Sequence, residues 1–367
     1  MKKVLKRIGI VLLSLLVLLL LVVGGYVVYM QSQYYRIPDH EVLEIETPAA
    51  GRLMMDTAYT ALTYNVGFGA YGPEYTFFMD TGIMADGTET AGYWARARSK
   101  EEMLEHIAGA GETAQAQNTD FILFQEVDTN ATRSFYTDQK ALLRSYFPGY
   151  GQVFALNFHS AYLCYPFYQP HGSVEAGLYT LLKYEAASAE RRSYPVDNSF
   201  VTKFTDLDRC FSVQRLPVEG GKELVLINSH MSAYDEGGTV RAEQLAMLNG
   251  VLAEEREKGN YVVVGGDFNH ALYGTAEAFP SGQQRPGWVF ELEDKDLAEG
   301  FSFVQAENGF AVPTCRGCDI PYEKGVDYTV VVDGFIVSDN ITATAENIDT
   351  DFAYSDHNPV RLTFILQ

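Results

Sequence analysis

Apolar positions are distributed along this chain in two different ways. Between residues 8 and 30 they form one uncharged, mostly aliphatic run of 23 residues, preceded by Lys2, Lys3, Lys6 and Arg7. As a helix the run would be about 35 Å long at roughly 1.5 Å per residue, enough to cross a bilayer core of about 30 Å. A cleaved signal peptide is the alternative, but its apolar region is shorter and ends at a small-residue cleavage site. Here the run closes on Gly24-Gly25-Tyr26-Val27-Val28-Tyr29-Met30. An uncleaved membrane anchor over residues 1–30 is therefore expected. The basic flank should stay in the cytoplasm and leave everything after Met30 outside. Residues 31–52, with Pro38 and Pro48, read as a tether.

From residue 53 to 367 the apolar residues come instead in short runs bounded by turn residues, or at helical spacing. The runs predict strands over 60–66, 121–127, 177–182, 211–216, 224–230, 261–264 and 330–337, with a last strand inside 351–366. Ser99 and Glu102 form a capping box ahead of a helix with Met103, Leu104, Ile107 and Ala108 on one face. A second helix is predicted over 239–258, with Leu245, Leu248 and Leu252 in line and Gly259 as its stop. A short helix is expected over 138–146. Residues 67–94 read as a long loop rich in glycine and aromatics, and 154–168 are crowded with Phe and Tyr. The alternation of strands and helices points to the α/β class.

Several predicted strands end in a polar residue. The run 261–264 leads into Gly265-Gly266-Asp267-Phe268-Asn269. In extended chain a spacing of two would point Asp267 and Asn269 to one side, a carboxylate and an amide suited to a hard cation and a phosphate oxygen. The same residues also suit a plain turn. Asn65, Glu126, His230, Asp333 and the Asp356-His357 pair end or flank other strands.

Taken in order, the stretches Thr63-Tyr-Asn-Val66, Gln125-Glu126, Asn228-Ser-His230, Gly266-Asp-Phe-Asn269, Asp333-Gly-Phe-Ile-Val-Ser338 and Ser355-Asp-His-Asn-Pro359 resemble the endonuclease/exonuclease/phosphatase superfamily of metal-dependent phosphoesterases. Arg241-Ala-Glu-Gln-Leu245 fits the helix before the central strand. The resemblance covers roughly 53–367. It implies a four-layer α/β sandwich, two mixed β-sheets packed face to face with helices outside, here following one N-terminal transmembrane helix.

The resemblance also implies roles. Glu126 would bind Mg²⁺ directly, with Mn²⁺ as a substitute, Asn65 would stand beside that metal, and Asp356 would touch it directly or through water. Asp267 would align or deprotonate the attacking water, and Asn269 would hold a phosphate oxygen. His230 would donate to the phosphate or leaving group. His357 would act as base or transition-state donor, oriented by Asp333. Whether Asp267 or His357 takes the proton stays open. Asp327 mimics Asp333 six residues earlier, but Phe335-Ile-Val-Ser338 follows only the latter.

Charge narrows the substrate. The whole chain has a formal net charge of -21, and the part after Met30 carries 23 basic and 48 acidic residues, a net of -25. Duplex DNA binding usually rests on clustered Lys and Arg, so a lipid headgroup or another small phosphoester is the expected substrate. An extracytoplasmic nuclease is the first alternative, and a non-catalytic binding module on the same fold is the second. Among the four cysteines, Cys315 and Cys318 form either a loop disulfide or free thiols. Arg316 either reaches a substrate phosphate or is solvated. The aromatic stretches 68–78 and 154–168 either pack as loop cores or rim the cleft against lipid.

The charge asymmetry around the apolar run makes the first prediction. Protease added to intact cells or spheroplasts should digest the large domain. Digestion only after lysis would reverse the orientation.

Overall fold

The short apolar runs assemble into two mixed sheets. The structure is a computed structural model and describes residues 1–47, 49–233 and 239–367. Pro48, cited above within the tether, lies outside the described residues. The first sheet contains β1 (Glu41–Val42), β6 (Ser188–Ser193), β7 (Cys210–Pro217), β8 (Glu223–His230), β9 (Tyr261–Asp267), β10 (Phe301–Phe303) and β11 (Asp333–Ser338). Its order is β1-β6-β7-β8-β9-β11-β10, with β8 and β9 parallel. The second contains β2 (Ala58–Asn65), β3 (Phe121–Asp128), β4 (Gly151–Leu163), β5 (Gly172–Leu182), β12 (Ile341–Asn347) and β13 (Val360–Leu366). Its order is β12-β13-β2-β3-β5-β4, with β2 and β3 parallel.

The layers follow from side-chain alternation along the central strands. Ala61, Phe121, Leu123, Leu224, Leu226, Val263, Phe335 and Leu362 bury into one core between the sheets. The alternate residues of the second sheet, Leu62, Tyr64, Ile122 and Phe124, pack with Met103, Ile107, Ala110 and Ala114 of α2 (Lys100–Ala116). The alternate residues of the first, Val225, Ile227, Val262 and Val264, pack with Leu248 and Leu252 of α4 (Thr239–Glu257). The result is the four-layer order helix, sheet, sheet, helix. Ser99 caps α2 by accepting from the Glu102 backbone N–H at 3.1 Å, and α3 (Gln139–Arg144) is capped by Asp138.

The inner faces are apolar for most of their length and turn polar at one end. There Gln125 Nε2 donates to Asn228 Oδ1 across the gap at 2.8 Å, and Asn228 Nδ2 donates to the Phe124 carbonyl at 3.1 Å. Gly265 lies level with Asn228. A Cβ there would sit 2.5 Å from Phe335 and 2.6 Å from Leu123, and one on Gly266 would sit 1.9 Å from the Ser229 carbonyl oxygen. The two glycines let β9 run against its neighbours up to Asp267.

Several expectations change. The helix α1 runs Lys2–Gln33 and is long and apolar enough to cross a membrane, by length and composition. The segment read as a tether does not hang free: Glu41 and Val42 pair with Arg191 and Glu190 on β6, and Glu46 pairs with Gln152 on β4. The loop over 67–94 contains a hairpin, Thr81–Ile83 with Glu89–Ala91. The run over 330–337 is two pieces, Thr329–Val330 and β11, in different sheets. Asp267 is the last residue of β9 rather than a loop residue. Cys315 and Cys318 are both buried free thiols; the first packs with Tyr328 and Val330, the second with Tyr75 and Phe77, so the two side chains belong to different clusters. Arg316 is not solvated. It is buried and donates to the carbonyls of Gly72 at 2.9 Å, Tyr71 at 3.3 Å and Tyr75 at 3.4 Å, tying down the start of the long loop.

Candidate active site

The polar ends of six strands or their loops converge at the open end of the sandwich. Period two explains most of this convergence. Asn65 continues the inner face of Ala61 and Thr63, His230 that of Leu226 and Asn228, Asp267 that of Val263 and Gly265, and Asp333 that of Phe335 and Val337. Register sets them side by side: His230 is paired with Asp267, and Asp267 with Asp333.

Glu126 reaches the site by a different route. In regular alternation it would follow Ile122 and Phe124 toward α2. Instead its φ is +57° and the β3–β5 register shifts between Phe124 and Val127. A bulge at a left-handed, non-glycine residue re-aims the side chain, and such strain concentrates at functional sites.

Asp267 Oδ2 is the hub. Asn65 Nδ2 donates to it at 3.0 Å, His230 Nε2 lies at 3.4 Å and His357 Nε2 at 3.7 Å. Its other oxygen accepts the Asn269 backbone N–H at 2.8 Å. His357 Nδ1 bonds Asp333 Oδ2 at 2.7 Å. Asn65 Nδ2 also lies 3.4 Å from Glu126 Oε1, and the Gly67 backbone N–H fixes Asn65 Oδ1 at 3.0 Å. Ser355 Oγ donates to the Asn65 carbonyl at 2.8 Å, which locks the Asp356–His357 loop to β2.

Asn269 departs from its expected geometry. Its φ is +51°, so it is not in extended chain and does not simply share a face with Asp267. Its Nδ2 donates to the Met231 carbonyl at 2.9 Å. Its backbone N–H fixes Asp267 at the same time.

The two histidines are driven to opposite states. Burial, the Arg209 charge and His357 hold His230 well below its usual range. It is therefore neutral. Asn157 Nδ2 lies 3.4 Å from its Nδ1, which leaves the ring hydrogen on Nε2, facing Asp267. Burial also opposes charge on His357, but Asp333, Cys315, Asp267 and Asp356 outweigh it and raise it well above. Burial also raises the Asp333 carboxyl, to about 7, so the pair holds one proton across its 2.7 Å bond. Burial raises the Glu126 carboxyl; Arg133 and Arg209 pull it down while Asp356 pushes it up.

These groups fit a divalent cation. Glu126 and Asp356 are carboxylates that repel each other at this site, and a hard cation between them removes that repulsion. Asp267, Asp333 and His357 also bring one ligand atom each within 4.8 Å of one another. In that trio the 2.7 Å bond already commits His357 Nδ1 to Asp333, whereas Glu126 and Asp356 carry only longer contacts among the described residues, including Asn65 Nδ2 at 3.4 Å from Glu126 Oε1 and Ser355 Oγ at 3.2 Å and Cys318 Sγ at 3.7 Å from the two Asp356 oxygens. Asp327, the rival to Asp333, accepts the Glu323 backbone N–H and has no bond to either histidine.

Arg209, Asn157 and Arg133 are site residues that pattern reading missed. Arg209 is 5 % exposed, yet its Nε and Nη1 have no hydrogen-bond partner among the described residues. The available signal was topological: Arg209 directly precedes β7, whose start pairs with the end of β8, so it must lie beside His230. Arg133 is buried in an ion pair with Asp128, Nη2 to Oδ1 at 2.8 Å, and lies 3.9 Å over the Phe68 ring.

The comparisons with known proteins decide the family. The sequence matches the Endonuclease/Exonuclease/phosphatase family over residues 62–357. The chain belongs to that family. Members are metal-dependent hydrolases of phosphoester bonds. Among solved structures, the endonuclease/exonuclease/phosphatase of Beutenbergia cavernae is 17 % identical with a TM-score of 0.52, over 84 % of this chain and 72 % of that one. The Bacteroides vulgatus protein is 15 % identical with a TM-score of 0.51, over 85 % and 100 %. TDP2 of D. rerio, solved with a single-strand DNA product, is 15 % identical with a TM-score of 0.50, over 84 % and 99 %. At these identities the likeness concerns the fold. A search of curated proteins finds no match.

Asp333 shares a proton with His357, so its removal has a defined sign. Asp333→Asn takes away a negative charge that raises the histidine, and the alkaline limb of kcat/KM should move to lower pH. The rate should fall by about 10²-fold or more. An unshifted pH profile would detach Asp333 from the reaction.

Proposed function

We propose that this chain is a membrane-anchored, extracytoplasmic phosphoester hydrolase whose substrate is a lipid headgroup or another small phosphoester. The observation that carries the reading is the convergence of Asn65, His230 and His357 on one buried oxygen of Asp267, with Asp333 behind His357.

Hydrolysis needs a positioned water, a neutralised phosphate and a proton for the leaving group. Glu126, Asp356 and the Asn65 amide would hold Mg²⁺ or Mn²⁺, and the cation would supply charge neutralisation at the phosphate. Asp267, fixed by the Asn269 N–H, is placed to align the attacking water and take its proton. His230, neutral with hydrogen on Nε2, donates to a phosphate oxygen. His357, backed by Asp333, donates to the oxygen that carries the developing charge. Asn269 fixes Asp267 through its backbone N–H, and its side-chain amide, held to the Met231 carbonyl by one hydrogen, keeps the second for a phosphate oxygen. Arg209 brings a desolvated guanidinium with unused N–H bonds, which suits an anionic phosphate.

The test uses a chromogenic phosphodiester, a phospholipid and plasmid DNA side by side at one Mg²⁺ concentration. EDTA should abolish turnover, and Mg²⁺ or Mn²⁺ should restore it. Glu126→Gln should cut the metal-supported rate by about 10²-fold or more. Full activity of that variant at low metal would remove Glu126 from the site, and efficient plasmid nicking with no turnover of the other two would establish the nuclease reading instead.

Arg209 gives an independent expectation. Arg209→Ala removes a bond to the phosphate and should raise KM or lower kcat/KM by about 10- to 100-fold, the cost of a charged hydrogen bond. Unchanged kinetics in a folded variant would leave the buried guanidinium as a structural charge.

A further inference from the structure

The mouth of the site and the end of the apolar helix lie on the same side of the molecule. Two loops rise beside the site. One joins β4 to β5, and it is at the site end because Ala176 near the start of β5 pairs with Asp128 near the end of β3, two residues beyond Glu126. The other joins β6 to β7, and it is at the site end because Phe211 pairs with Ser229, next to His230. They come from different sheets and flank the opening from its two sides.

Both loops are fastened to the exterior end of α1. Tyr26 Oη donates to the Tyr162 carbonyl at 3.0 Å and accepts the Cys164 N–H at 3.2 Å. Tyr29 Oη accepts the Tyr162 N–H at 3.2 Å. On the second loop Lys203 Nζ donates to Gln31 Oε1 at 2.9 Å, and Phe204 meets Tyr34 edge to face at 5.5 Å. A core of about 30 Å entered near Ile8 is left near Val27 at about 1.5 Å per residue. Tyr26 and Tyr29 then fall at the exterior boundary, where tyrosines of spanning helices collect.

Both loops leave apolar side chains uncovered, in the second loop next to the exposed Asp197, Asn198 and Ser199. Phe167 is 83 % exposed and Val201 72 %, with Tyr165, Tyr168 and Phe200 also more than half exposed. Lys203 stands among the rings of Tyr34, Phe200 and Phe204, within 4.8 to 5.1 Å of their centroids. Aromatic and aliphatic side chains with a lysine among them match the headgroup region of a bilayer, which takes rings at its boundary and cations at its phosphates.

We infer that Tyr165, Phe167, Tyr168, Phe200, Val201 and Lys203 form a bilayer-docking platform that turns the active-site mouth toward the membrane carrying the anchor. The occupant is a phospholipid surface, and the inference rests on the anchored reading above. In this arrangement the helix sets the height of the site over the membrane and the two loops set its tilt. A phosphoester in the headgroup layer then reaches Asp267 and His230 without leaving the bilayer, and a long duplex is sterically excluded from the same gap.

The test is made on the full chain reconstituted into phosphatidylcholine vesicles, with and without acyl chains brominated near the headgroup. Phe167→Trp should show emission quenched about twofold or more by the brominated lipid, above the background of Trp94 and Trp288. Met55→Trp, exposed at the opposite end of the second sheet, should keep its emission. A second arm joins Phe167→Asp with Phe200→Asp. This pair should lower turnover of a vesicle-borne phosphoester about tenfold while turnover of a soluble chromogenic diester stays unchanged. Absent quenching at position 167 in correctly anchored chain overturns the platform, and so does equal loss of both activities in the double variant. Quenching without turnover of any vesicle-borne phosphoester supports the platform and removes only the lipid substrate.

Discussion

The structure depends on one buried contact, the amide bridge from Gln125 to Asn228 across the two sheets. Below it the inner faces are hydrocarbon and can pack in any of several registers that fill space. The bridge cannot tolerate a slip. A one-residue shift would turn an amide into the helix layer and leave the other unsatisfied in a dry core, at a cost of about 1–3 kcal/mol for each orphaned group. Thr63 and Thr180 complete the network, with the Thr63 hydroxyl accepting from Gln125 Nε2 at 3.1 Å and the Thr180 hydroxyl from Asn228 Nδ2 at 3.2 Å. Once this register is fixed, the next residues on the inner faces are Asn65, His230, Asp267 and Asp333. The position of the chemistry is thus a consequence of how the core is closed.

The end of the sandwich that carries these residues is held in tension. Donors from two strands and one loop are aimed at a single oxygen of Asp267, and the Asn269 N–H holds its other oxygen. Nearby, the Asp356 charge raises the Glu126 carboxyl, while Arg209 is buried with Nε and Nη1 unpartnered among the described residues. Excess carboxylate on one side and excess donor on the other is an arrangement waiting for a cation and an anion together. A metal phosphoester complex answers both needs at once, which neither a metal nor a phosphate alone would do.

Much of this was legible from the chain, for a physical reason. Period-two alternation is strict, so a polar residue that ends an apolar run stays on the face it would have had, as Asn65, His230 and Asp267 do. The features that were not legible break that period or depend on tertiary neighbours. Glu126 needs a bulge that only the β3–β5 pairing reveals. Asn269 turns left-handed because its N–H closes on Asp267. Arg316 looked like a surface arginine because nothing local shows that the carbonyls of Tyr71, Gly72 and Tyr75 bend toward it. Cys315 and Cys318 are close in sequence yet enter different clusters, so proximity along the chain misled about the disulfide. Arg209 was overlooked because a lone arginine before a strand has no pattern of its own.

The net charge of -25 after Met30 disfavours an anionic substrate at long range. The site answers at shorter range. Arg133 and Arg209 are buried within its walls, where a charge is screened far less than on the surface and acts over a few ångströms. Arg209 and His357 would act on a single phosphate at close quarters, whereas Asp128 already neutralises Arg133 locally. A polyanion must also lie along the acidic exterior for many ångströms, with no row of cations to release its counterions. On the proposed reading this distribution favours one phosphate over a long row of them. That preference would rest on where the positive charges are buried, and it would work in the same direction as an opening held close to a membrane surface.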